Sequence, residues 1–219
     1  GNPNLLPTKN TEADAGVSFR NGRFTLRPML FYSRLADFVV VHDRLRVNPV
    51  PQVMNTSARS YENVPAKMYG GELSYRVEMS RALSLSGGLS YTRGIKETKP
   101  AARIWDRDLA EIPPLRSRAA LRYGTKLFFG EIEGLAVDAQ ARVDSDVREP
   151  RTPGYALLRI KAGVHTAKLN LAAGIDNAFN RFYYEHFSFQ RDPFRWGATI
   201  PEPGRTVYFT VSYGFRLRQ

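Results

Sequence analysis

Residues 205–215 alternate almost without a break between apolar and small or polar side chains. Val207, Phe209, Val211, Tyr213 and Phe215 fall on one side, and Thr206, Tyr208, Thr210, Ser212 and Gly214 on the other. A β-strand has a side-chain period of two, so this segment has one greasy face and one wet face. Its length suits a strand that crosses a bilayer, about 9–11 residues. Any antiparallel sheet packed on a core alternates in the same way, so the choice between a soluble sandwich and a membrane barrel needs more than one strand.

The same dyad pattern recurs. Ala15, Val17 and Phe19 begin the series, and Phe24, Leu26, Leu30 and Tyr32 follow the tight-turn pair Asn21-Gly22. Pro28 predicts a bulge or local break in this second strand. Further strands are expected on Leu73, Tyr75, Val77 and Met79; on Leu83, Leu85, Leu89 and Tyr91; and on Ala119, Leu121 and Tyr123. Leu135 through Val143, then Leu158 to Val164, then Leu169 to Ile175 complete about nine strands with the last. Turns at Asn21-Gly22, Ser80-Arg81 and His165-Thr166 are short, whereas the links 42–60, 94–108, 145–154 and 186–204 are long and polar. Short turns on one side and long loops on the other mark an outer-membrane barrel. Aromatics divide similarly: Phe19, Phe24, Tyr75, Tyr123, Tyr213 and Phe215 near the short turns, and Tyr32, Tyr91 and Tyr183 near the long loops, as two interfacial belts would.

Composition narrows the classes. No apolar run approaches the ~18 residues of a spanning helix, and zero cysteines exclude disulfide scaffolds and thiolate metal sites. The net charge of +11 is scattered through alternating segments rather than gathered in a run, so nucleic acid is not an expected partner. His42, His165 and His186 lack a Gly-x-Ser-x-Gly context, and an enzyme is not expected. About nine strands, an odd count, do not make an ordinary bacterial barrel on their own, and lipid does not tolerate the open edges they would leave. The expectation is that residues 1–215 are the C-terminal portion of a larger barrel, with 216–219 a short tail and further strands supplied from elsewhere.

In this frame the sequence resembles TonB-dependent outer-membrane receptors. The resemblance rests on Asn2-Pro3-Asn4-Leu5-Leu6-Pro7, Asn63-Val64-Pro65-Ala66, Gly70-Gly71-Glu72-Leu73 and Ile112-Pro113-Pro114-Leu115-Arg116, in that order. Gly174-Ile175-Asp176-Asn177-Ala178-Phe179-Asn180 and Pro203-Gly204-Arg205-Thr206 complete the series. It implies an all-β antiparallel barrel of about 22 strands with a plugged lumen, of which this chain holds about nine C-terminal strands and no plug. It also implies the outer membrane of a Gram-negative bacterium, a bilayer around the barrel, and the remaining strands and plug as partners. Through that absent N-terminal part the TonB complex would drive import of a small nutrient, a metal ion such as copper or a chelate such as a ferric siderophore. No cofactor is called for. The alternative is a passive porin-like or adhesive barrel without energy coupling.

Ligand contacts are expected on the long-loop side. Tyr183-Tyr184-Glu185-His186, with Arg191-Asp192-Pro193-Phe194, resembles a segment of copper-type receptors in this family, and His42, Met54 and Met68 lie at the same end. The candidate ligand residues are therefore His186, Glu185, Tyr184, His42, Met54 and Arg191. Imidazole suits copper and thioether suits Cu(I), but these residues show no ligand spacing, and the plain alternative is a loop histidine with packing methionines. The inward charges Arg116, Arg118, Arg122, Arg142, Arg159, Lys161 and Lys168, interspersed with Glu72, Glu78, Asp138, Asp144 and Asp176, allow two readings: a funnel for anionic chelates or a hydrated, internally ion-paired wall.

Overall fold

Three of the short turns are built alike. Ser80, Thr125 and Thr166 each open a turn in which the hydroxyl accepts backbone N–H groups two or three residues on, Leu83 and Phe128 and Leu169 among them. The backbone closes across the same residues at 2.8–3.1 Å. A hydroxyl that mimics a turn carbonyl makes such a four-residue connection self-sufficient. At the fourth, Gly22 takes the left-handed conformation (φ 49°) that Asn21-Gly22 advertises.

The computed structural model describes residues 2–46, 56–188 and 199–214. They form one antiparallel sheet of ten segments: β1 (Lys9–Gly16), β2 (Phe19–Asn21), β3 (Phe24–Arg46), β4 (Thr56–Glu78), β5 (Leu83–Lys96), β6 (Arg116–Gly124), β7 (Phe128–Val137), β8 (Tyr155–His165), β9 (Leu169–Asp176) and β10 (Thr206–Tyr213). Each pairs with the next, except that β1 and β2 both lie along β3. The register on either side of residues 17–18 is unchanged (Gly16 opposite Met29, Phe19 opposite Leu26), so β1 and β2 are one crossing interrupted. Pro28 is the cause. Val17 donates to the Pro28 carbonyl at 3.1 Å, but proline has no N–H to return. The expected irregularity thus falls on the partner strand, while β3 runs straight through Pro28. The bulge in β3 lies instead at Ala36–Asp37, where the register with β4 shifts and Asp37 adopts φ 56°.

Register carries one parity across the whole sheet. Val77, Leu85, Leu121, Ile132, Ile160, Ile175 and Val207 stand side by side on successive strands, and most of this outward face is apolar and exposed. Tyr123, Phe128 and Tyr213 line its short-turn edge, and Tyr32 with Tyr69 opposite it its long-loop edge. On the other face the apolar burial clusters near the long loops, although Ser84 and Phe129 are also buried close to the short turns.

Three expectations are corrected. The link 42–60 is strand at both its ends, over 42–46 and 56–60, since β3 and β4 each run 23 residues, about twice a membrane crossing. The strand expected from Leu135 to Val143 begins earlier, at Phe128, and ends at Val137, so Asp138, Arg142 and Asp144 belong to a loop. Tyr183 is no belt residue; its ring packs 4.5 Å from that of Tyr155 on the inner face, over Leu135, Val137 and Leu157.

Candidate functional site

The inner wall is ion-paired. Glu133 on β7 bridges Arg118 of β6 at 3.2 Å and Arg159 of β8 at 3.0 Å, and Glu131 meets Arg122 at 3.1 Å. These are cross-strand neighbours in the register, the positions where opposite charges stabilise a sheet. The Arg122 guanidinium also lies 4.3 Å from the Phe129 ring centre. Of the two readings of the inward charges, pairing within the wall describes this region.

Above it, the long loops turn inward. Loop 97–115 carries Ile104, Leu109 and Ile112, too apolar to stay in water, and seats them on Leu35, Val40, Val64 and Ala66. Gly94 makes this close approach feasible: a Cβ there would stand 2.7 Å from Ile112 Cδ1 and 2.9 Å from Leu109. Loop 138–154 packs alongside, tied through Gln140, which donates to the Ile112 carbonyl and pairs with the Thr152 backbone.

Carboxylates of the second loop hold the first. Asp146 accepts the N–H groups of Trp105 and Asp106 at 3.1 and 3.0 Å. Glu149 accepts from Glu111 N at 2.6 Å and Asp144 N at 2.8 Å. Lys96, at the end of β5 and with its side chain fully buried, binds the Asp144 carboxylate and lies 3.3 Å from Asp146. His186 completes the array from the 177–205 segment, its Nε2 3.1 Å from Glu149 and its Nδ1 3.0 Å from Thr152 Oγ1.

One ammonium shared by two buried carboxylates leaves a charge the site must accommodate. Burial pushes Asp144 up from 3.8 to about 6, aided by the neighbouring Asp146 charge and opposed by the Lys96 hydrogen bond and charge. The folded state thus holds a proton that the unfolded chain releases near 3.8. Docking of the loops is therefore expected to strengthen as pH falls from about 6 towards 4, and to weaken as pH rises through that window. Hydrogen exchange in 97–115, corrected for intrinsic rates, should show this slope, and Asp144→Asn should flatten it.

The candidate ligand residues are placed in different surroundings. His186 sits in the loop array just described, and Glu185 lies 3.7 Å from Arg116. Tyr184 makes an edge contact with Phe182, ring centres 5.1 Å apart. His42 is elsewhere, on the inner side of β3, where it lines a polar cleft of about 430 Å³ with Ser60, Glu62, Lys99 and Arg103. Met54 and Arg191 lie outside the described residues. Among the described residues no three His, Asp or Glu side chains are grouped as a metal site. Sequence reading missed Lys96, Asp146, Glu149 and Thr152. A signal existed: Asp144 caps the short 3-10 turn Ser145–Val147 by accepting from Asp146 N, the pattern of an aspartate that opens a turn rather than continuing a strand.

Comparisons with known proteins agree with this architecture. The family described as TonB dependent receptor-like, beta-barrel matches residues 1–178. Among solved structures, the copper transporter OprC is 25% identical with a TM-score of 0.80, covering 97% of this chain and 32% of its own. The FrpB iron transporter from Neisseria meningitidis (19% identity, TM-score 0.68, 96% and 32% covered) and the ferric yersiniabactin uptake receptor FyuA from Yersinia pestis (16%, 0.71, 95% and 30%) share the fold. The chain thus spans about a third of the length of these structures. No curated protein matches it. By the match over residues 1–178, the chain belongs to the TonB-dependent receptor-like β-barrel family.

Proposed function

We propose that this chain is the C-terminal part of the barrel of an outer-membrane receptor that imports a metal ion or metal chelate, driven by the TonB complex through an N-terminal plug. The observation that carries this is the two-sided sheet: an apolar outward face continuous across the strands and an inner face on which long loops fold back. Such a wall encloses a vestibule narrowed by its own loops, which suits a receptor that captures a scarce ligand better than an open pore. Copper is the favoured cargo, supported by the likeness to a copper transporter over nearly the whole chain. A ferric chelate is the second reading, supported by the iron receptors that share the fold.

Among the described candidate ligand residues, His42 is the one proposed for contact, because it lines a polar cleft on the inner side. His186, fixed between Glu149 and Thr152, serves to position the loops. The test is uptake by the full receptor in cells with and without TonB, comparing copper with a ferric siderophore. Copper accumulation that needs both receptor and TonB is the expected result, and His42→Ala should raise the half-saturating copper concentration several-fold. Accumulation indifferent to TonB would replace this reading with a passive barrel.

A further inference from the structure

The polar cleft beside His42 is larger, and richer in hydrogen-bond donors, than a bare metal ion requires. Its volume of about 430 Å³ lies in the range of small-molecule sites. It forms where loop 97–115 folds back. Ile104 is anchored in the apolar seat with no exposure, and its neighbours Lys99 and Arg103 stand over the inner side of β3 and β4. Asn4 from the N-terminal segment and Ser60 on β4 complete the wall. Among the described residues no aromatic ring lines it, so the cleft has no platform for a planar aryl ligand.

Its charges are unequal. Lys99 Nζ lies 2.6 Å from Glu62 Oε1, and this hydrogen bond holds the Glu62 carboxyl below its ordinary range against the desolvation that opposes it. The cleft's carboxylate is thus matched by Lys99. Arg103 is the surplus cation: it is exposed and enters no ion pair among the described residues. It caps the 3-10 turn Pro100–Ala102 in the left-handed conformation (φ 62°), its N–H donating to the Pro100 carbonyl at 2.8 Å. Glycine takes that conformation without strain, so what arginine adds at this position is its guanidinium.

Among the lining residues, His42 supplies the imidazole and Glu62 the carboxylate. Those two groups fall short of the four equatorial donors that a cupric ion takes in its tetragonal geometry. A complex that carries its own equatorial nitrogen and oxygen donors needs only one axial nitrogen from the protein. Its carboxylate oxygens that face away from the metal accept hydrogen bonds, and a guanidinium fork suits them.

We propose that the cleft takes copper as a complex with small α-amino carboxylates, and not as the bare ion. The Arg103 guanidinium, with Ser60, Asn4 and the remaining Lys99 N–H groups, holds the outward carboxylate oxygens, and the His42 imidazole takes the open axial position. The inference rests on the copper reading above and narrows it.

The test uses the full receptor in a neutral detergent, with equilibrium dialysis reading bound copper. The probes are bis-glycinato copper with free glycine in excess, bis-ethylenediamine copper, which has the same shape without carboxylates, and cupric chloride in a non-coordinating buffer. The glycinate complex is expected to bind about tenfold or more tightly than both others, the equivalent of one charged contact. Arg103→Gly, which keeps the left-handed turn, should remove the preference over the amine complex, while Lys126→Gln at a short turn leaves it intact. The d–d absorption of the bound glycinate complex should move to longer wavelength, as an axial nitrogen requires, and His42→Ala should lose that shift. Folding of each variant is checked by heat-modifiable electrophoretic mobility. Equal or tighter binding of cupric chloride, equal binding of the amine complex, a preference that survives Arg103→Gly, or an unshifted band would overturn the proposal. Uptake is measured separately. TonB-dependent copper import with no preference for the glycinate complex keeps the transport reading and removes only this one; the preference without TonB-dependent import upholds the cleft and removes the transport reading.

Discussion

Replacing Lys96 by alanine is expected to release loops 97–115 and 138–154 from the inner wall. The lysine side chain is fully buried, and Asp144 and Asp146 are only 3% and 4% exposed. Removing the ammonium leaves two carboxylates in a dry site with no counter-charge, a loss of about 3–5 kcal/mol for a broken buried pair. The sheet itself does not depend on this contact, because its ladder hydrogen bonds and outward face lie elsewhere. Hydrogen exchange should therefore rise sharply in 97–115 while strands β6–β8 keep their protection. Lys96→Met combined with Asp144→Leu should recover much of the docking, since Asp146 still accepts two backbone N–H groups. Unchanged exchange in Lys96→Ala would show that the apolar seat of Ile104, Leu109 and Ile112 holds the loop alone.

Ile132→Arg is the second large effect. Ile132 sits in the middle of β7 on the outward face, between Leu121 and Ile160 in the register, and is 51% exposed. On a bilayer-facing barrel position near the midplane, an arginine costs about 2–4 kcal/mol. Thr210→Arg, on the inward parity of β10, should cost little, because a charge there stays hydrated. Denaturant unfolding of the full receptor in lipid vesicles measures both. Equal costs for the two substitutions would mean that the outward face does not contact hydrocarbon, and the membrane reading would fall with it.

Both predictions depend on features that differ in how they could be read. The outward face was legible from alternation, because pleat parity is a local property of each strand. The Ser80 and Asn21-Gly22 turns were legible as well, since they are built from residues adjacent in the chain. Pro28 was identified as a disturbance, but its effect fell on the neighbouring strand. A proline's missing donor is felt by whichever strand the lost N–H would have faced, and only pairing decides which that is. The start of β7 at Phe128 was missed because Gly130 and Gly134 blur the apolar–polar contrast there.

Lys96 shows where local reading ends. In the chain it continues the alternation of β5 and looks like one more inward cation. Its partner Asp144 is 48 residues away, as Glu149 is 37 from His186 and Asp146 is 41 from Trp105. Side-chain period and turn chemistry act over a few residues, so they specified an antiparallel sheet with one apolar face and loops sorted to one end. Which loop folds inward, and which charges are buried together when it does, follows from burial of apolar loop residues and desolvation of distant carboxylates. Those energies exist only once the sheet has brought the loops together, and so the vestibule's interior belongs to the tertiary structure alone.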